Sequence, residues 1–168
     1  MKQLSKLFAI TIVALLYAVN TFGQVSVSAN ATATIITPIS ITNSTDLRFG
    51  NVAANPTLTG TVVITPAGLR SAGGGATLPV ITGTFGVATF TVTGEGTSTY
   101  AITLPGTVTL TGTPGGTMTV DNFASTPSGT GTLAAGTQNV TVGGTLNVGA
   151  AQAAGSYTGT FSVTVNYN

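Results

Sequence analysis

Beyond residue 23, few side chains can do chemistry. The acids are Asp46, Glu95 and Asp121, the bases Arg48 and Arg70, and histidine and cysteine are absent throughout. That removes the usual general base, the thiolate nucleophile and the best zinc ligands. Glycoside hydrolysis needs two facing carboxylates. Here Asp46 stands two residues from Arg48, the pattern of an ion pair at a strand end. Glu95 lies in the turn "TGEGT", and Asp121 precedes Asn122 where such residues hydrogen-bond their own backbone. Calcium wants six or more oxygens, usually from clustered acids. "GGGA" and "TPGGT" are glycine-rich, but no Gly-Lys-[Ser/Thr] follows to cradle a phosphate. The residues therefore predict no enzyme, no metal and no cofactor.

The start of the chain reads as a leader. Lys2 and Lys6 precede the uncharged stretch "LFAITIVALLYA", which is shorter than the roughly 20 residues a membrane span needs. Thr21 and Gly23 are small residues before a cut at Gln24. The prediction is a secretory signal peptide over 1–23, a single domain over 24–168, and a secreted mature chain with no membrane insertion. Its two arginines and three acids give a side-chain net charge of −1. Such a surface does not draw nucleic acid or anionic lipid by charge, since both need clustered Lys or Arg. It also does little to oppose self-association.

The elements that must position anything here are strands. Roughly one residue in five is threonine, and 23 are glycine. Threonine and valine favour a pleated surface, and Gly, Pro and Asn punctuate it. Alternation runs through Val25, Val27, Ala29, Ala31, Ala33 and Ile35, breaks at Pro38 and resumes at Ile39 and Ile41. "GTFGVATFTVTG" switches phase between Phe85/Val87 and Phe90/Val92, which predicts a bulge or a strand moving between sheets. "AGLRSAGGGATLP" and "STPSGTGTLAAGTQ" read as loops, and "NVTVGGTLNV" as a hairpin turning at Gly143-Gly144. The closing "AGSYTGTFSVTVNYN" puts Tyr157, Gly159, Phe161, Val163, Val165 and Tyr167 on one face. Eight to ten short strands separated by turns predict an all-β, immunoglobulin-like antiparallel sandwich. Thr-x-Thr recurs without a fixed period, which argues against a solenoid and promises no flat array of the kind ice binding requires.

Two segments carry a family resemblance: "ATATIITPISITNSTDLRFGNV" near the start and "AAGSYTGTFSVTVNY" at the end. The chain resembles secreted Thr/Gly-rich β-sandwich domains of Gram-negative bacteria with no assigned function. More distantly, it is similar to spore coat protein U and the archaic chaperone–usher pilins. Those pilins end in an alternating strand with a glycine about fourteen places from the terminus and a penultimate aromatic, positions held here by Gly155 and Tyr167. The resemblance implies that Gly155, Tyr157, Phe161, Val163, Val165 and Tyr167 border a strand-acceptor groove. Residues 24–34, with Val25, Val27, Ala29 and Ala31 facing inward, are the corresponding candidate donor strand, pairing by strand addition. The pilins often carry a disulfide, and this chain has no cysteine. The same N-terminal stretch also reads as the domain's own first strand, paired in cis.

The functional expectation is a pilin-like structural subunit of a fimbria or cell-surface assembly. It forms a homo-oligomer or polymer and is served by a periplasmic chaperone. The alternative is an adhesin or carbohydrate-binding module using residues 67–79 and 125–136. Those stretches hold almost no aromatic or acidic side chains.

Overall fold

The computed structural model describes residues 23–113 and 115–168, so the predicted leader lies outside the described residues apart from Gly23. The chain divides into two units at Ile35/Ile36. In the first, residues 23–35 carry no strand, and Val25, Val27 and Ile35 are almost wholly exposed. The alternation there is a strand pattern without a partner strand.

The second unit, Ile36–Asn168, is all-β. In chain order its strands are β1 (Ser40–Thr45), β2 (Arg48–Phe49), β3 (Ala53–Ala54), β4 (Gly60–Ile64), β5 (Arg70–Gly74), β6 (Ala76–Thr77), β7 (Phe85–Gly86) and β8 (Ala88–Thr93). Then follow β9 (Thr99–Thr103), β10 (Val108–Thr113), β11 (Thr117–Thr126), β12 (Thr130–Thr132), β13 (Thr137–Val148), β14 (Ser156–Thr158) and β15 (Thr164–Tyr167). Every pairing is antiparallel.

The main sheet runs β1-β8-β13-β11-β10-β14, with β4 and β5 branching from β13. A second sheet, β12-β9-β15, packs on the β1-β8-β13 half. Val92, Tyr100, Leu133, Val140 and Val142 fill that core and are all essentially inaccessible. Another core lies beneath the β4-β13-β11 half, around Val62, Val120, Leu146 and Val148, and Leu47, Phe49, Val52 and Ala54 pack against it. The result is a curled, sandwich-like all-β fold.

Three sequence expectations are corrected. The hairpin at Gly143-Gly144 is a single strand, β13, and it is the hub of the sheet. Val140, Val142, Leu146 and Val148 keep one parity through both glycines, so no turn intervenes. At this point β13 exchanges partners on one edge: Val142 pairs with Ala88 of β8, and Gly144 pairs with Ile64 of β4. A Cβ on Gly143 would run into the Ile64 carbonyl and lie 2.7 Å from the Thr65 carbonyl carbon. The glycine is there for close approach.

The "AGLRSAGGGATLP" loop is mostly β5 and β6, an edge hairpin partner of β4 and a short strand on β3. "STPSGTGTLAAGTQ" contains the end of β11, β12, and Leu133, a core residue. The phase switch between Phe85 and Phe90 is a strand moving between sheets: β7 pairs with β2, and β8 pairs with β1 and β13.

Candidate strand-acceptor groove

The closing segment is not one strand. β14 pairs with β10 at one edge of the main sheet. Residues 159–163 belong to no ladder, and β15 then pairs with β9 at the edge of the second sheet. The crossing is forced at Gly159, where a Cβ would come within 2.6 Å of the Thr109 carbonyl oxygen and 2.8 Å of Leu110 Cδ2. A glycine lets the chain pass this close over β10 before it leaves the sheet.

Beside this crossing lies an open groove of about 1190 Å³. One wall is residues 47–54, including β2 and β3, and the other is residues 152–161. The floor is the inner face of the main sheet: Val108 and Leu110 of β10, Met118 and Val120 of β11, Leu146 and Val148 of β13. Phe90 and Phe123 line it too, with Phe161 set edge-on to Phe90 at 6.1 Å and tilted on Phe123 at 5.1 Å between ring centroids. Val108, Leu110 and Met118 are only half-buried. The second layer covers the β8-side half of the sheet and leaves the β10-side half partly open.

The six residues expected to border one edge are divided by this geometry. Gly155, Tyr157 and Phe161 line the groove. Val163 and Val165 face the core between the sheets, and Tyr167 packs beside them. Tyr157 Oη donates to the Ala153 carbonyl at 2.8 Å and accepts from Gln152 Nε2 at 2.7 Å, fixing the ring across Gly112. Gln152 is a groove residue that sequence reasoning missed, since a lone amide in an alanine-rich loop carries no pattern. The candidate donor residues Val25, Val27, Ala29 and Ala31 fall in the first unit, exposed and outside any strand.

Tyr167 has a separate task. Its hydroxyl donates to the Thr37 carbonyl at 2.9 Å and accepts from the Glu95 amide at 2.6 Å. The Glu95 carboxylate in turn accepts from the Thr37 amide at 3.0 Å. Both backbone groups of Thr37 are thereby held, one by each partner. The bond from Thr37 keeps the Glu95 carboxyl below its ordinary range. The penultimate aromatic pins the chain just ahead of β1.

The other charged groups have structural surroundings. Asp46 accepts from Asn43 Nδ2 at 2.9 Å and pairs with Arg48 at 3.2 Å in the open; these contacts, Asn43 foremost, lower its carboxyl pKa. Arg70 donates from Nη2 to the Asn51 carbonyl and sits 5.1 Å over the Phe85 ring, and its desolvation lowers the guanidinium pKa. Among the described residues no three acidic side chains gather where they could hold a metal. Of the stretches offered as binding loops, 67–79 holds β5 and β6, and 125–136 holds the end of β11 and all of β12.

Neither a curated protein nor a solved structure matches the chain. A family model does, over residues 39–167, from the start of β1 to the end of β15. By that match the chain belongs to a family described as a domain of unknown function, DUF4402.

Proposed function

We propose that this is a non-enzymatic structural subunit, secreted to the surface of a Gram-negative cell or an extracellular assembly. Copies join by β-strand addition, in the manner of a pilin. One observation carries the reading: an open groove with an apolar floor runs beside residues 159–161, part of a stretch that belongs to no ladder. An added strand would pair its backbone there and turn alternate side chains onto Leu110, Met118 and Val120. Residues 24–34 supply such a strand from a second copy, because Val25 and Val27 stand almost fully exposed and Ala29 and Ala31 continue the same face. A periplasmic chaperone would cover the groove before assembly, since an open apolar trough beside an unpaired edge invites aggregation.

The test is deletion of residues 24–33. The expected product is a soluble, folded sandwich that sediments as a monomer and binds a peptide of the deleted sequence. Leu110→Lys, which places a charge on the groove floor, should abolish peptide binding with the strand content unchanged. Wild-type protein that sediments like the deletion variant, with no filaments by electron microscopy, would sink the proposal.

A further inference from the structure

Order along the chain begins abruptly. Ile35 is almost wholly exposed, Ile36 is half exposed, and at Thr37 both backbone groups are held. Segments near chain ends usually fray by degrees. Burial does not hold this point, because Thr37 and Pro38 are themselves exposed. What holds it is a set of hydrogen bonds from distant parts of the chain. The Thr37 amide donates to the Glu95 carboxylate, and the Thr37 carbonyl accepts from the Tyr167 hydroxyl, which accepts in turn from the Glu95 amide. Pro38 follows with a fixed φ and biases Thr37 towards an extended backbone. Ile39 then packs on the core between the sheets.

The surroundings are built for this contact. A Cβ on Gly94 would run into the Tyr167 hydroxyl and lie 3.1 Å from Leu133 Cδ1, so only glycine admits the tyrosine there. The Gly94 amide donates to the Gly136 carbonyl at 2.9 Å, and the Gly136 amide to the Gly96 carbonyl at 2.7 Å. The turn carrying Glu95 is thereby braced against the turn ahead of β13. Among the described residues Glu95 makes no ion pair, and its carboxylate serves Thr37 instead. An acid, a tyrosine and a bare glycine are thus devoted to a residue outside every strand. Their bonds to Thr37 extend no ladder, since β1 begins three residues later.

What the bonds fix is the point from which the preceding residues depart. Those residues are the candidate donor, with Val25 and Val27 almost fully exposed. A strand offered from a loose root must order the root as well as itself when it joins a partner. Each further residue ordered at that moment weakens the joint.

We propose that Tyr167 and Glu95 are positioning residues for strand addition: they clamp Thr37 so that the donor segment leaves every copy from the same rigid root. The inference rests on the strand-addition reading and adds to it a determinant outside both joining surfaces. Neither residue lines the groove, and neither belongs to the donor segment.

The experiment separates donor from acceptor. The donor is the chain with Leu110→Lys on its groove floor, and the acceptor is the chain with Val25→Asp and Val27→Asp. Each keeps one half of the joint. Their affinity is read by analytical ultracentrifugation, and circular dichroism establishes that every variant is folded. Clamp substitutions are made in the donor only, so the groove being filled is untouched. Because the chain has no cysteine, Ile36→Cys takes a single spin label beside the clamp. The expected result for Tyr167→Phe/Glu95→Ala is a freed label and a Kd about tenfold higher, the factor for ordering roughly one more residue. Glu95→Gln, which keeps an acceptor oxygen for the Thr37 amide, should restore what Glu95→Ala alone loses. A purely structural role would lower the donor's stability and leave Kd in place. A freed label with an unchanged Kd therefore overturns the proposal, and so does a label equally mobile with and without the clamp. Binding by no donor at all, with the label still responding, overturns strand addition itself and this role with it.

Discussion

At the scale of single residues, tyrosine hydroxyls do much of the fastening. Tyr100 is fully buried and donates to Gln138 Oε1 at 2.7 Å, and the same oxygen accepts from the Thr132 amide. Tyr167 holds Thr37 and Glu95 together through one hydroxyl. Tyr167→Phe keeps the ring and removes both of those bonds, leaving the Glu95 amide and the Thr37 carbonyl to find water. A loss of about 1–3 kcal/mol is expected at about 0.5–1.5 kcal/mol per bond, read from urea unfolding with an unchanged slope. Little of this was legible beforehand. The alternation predicts where a tyrosine ring faces, but its hydroxyl reaches groups that are far away in sequence, Thr37 being 130 positions from Tyr167.

At the scale of elements, alternation identified the strands well where one face is buried and the other wet. β8, β9 and the first part of β11 have buried or half-buried side chains where their apolar residues predict. It failed where glycine was read as a turn. Gly143 and Gly144 sit inside the longest strand, and the parity of the valines and leucine around them was the available signal. The two supposed loops failed for a related reason: short edge strands such as β5 and β12 bury little, so their sequences lack apolar alternation. The test of the Gly143 account is Gly143→Ala. Its methyl meets the carbonyls at the end of β4, so a cost of about 1–3 kcal/mol is expected by urea unfolding. The same substitution at Gly106, with open space around it, should cost far less.

At the scale of the whole molecule, scarcity of charge shapes behaviour in solution. With no histidine in the chain, no side chain with an ordinary pKa near 6.5 can make stability vary near neutrality. The acid limit is set by Glu95 and Asp46, both held below their ordinary values of 4.5 and 3.8. A lowered folded pKa stabilises above the ordinary value, and that contribution disappears as the pH falls through the folded one. The alkaline limit comes from Tyr100, whose burial raises its pKa above 10.0, so stability declines once the unfolded chain ionises there. The expected profile is a flat urea midpoint from about pH 5 to 9 with a fall on either side. Glu95→Gln should reduce the slope that begins near its ordinary value of 4.5.

The hold on Thr37 has a mechanical consequence. Any pull on the chain ahead of it reaches the knot formed with Glu95 and Tyr167 before it reaches β1. Tension divides there, one branch entering β1 and the main sheet, the other entering β15 and the second sheet. A domain tugged from that end would be loaded across both sheets together rather than peeled open from one strand.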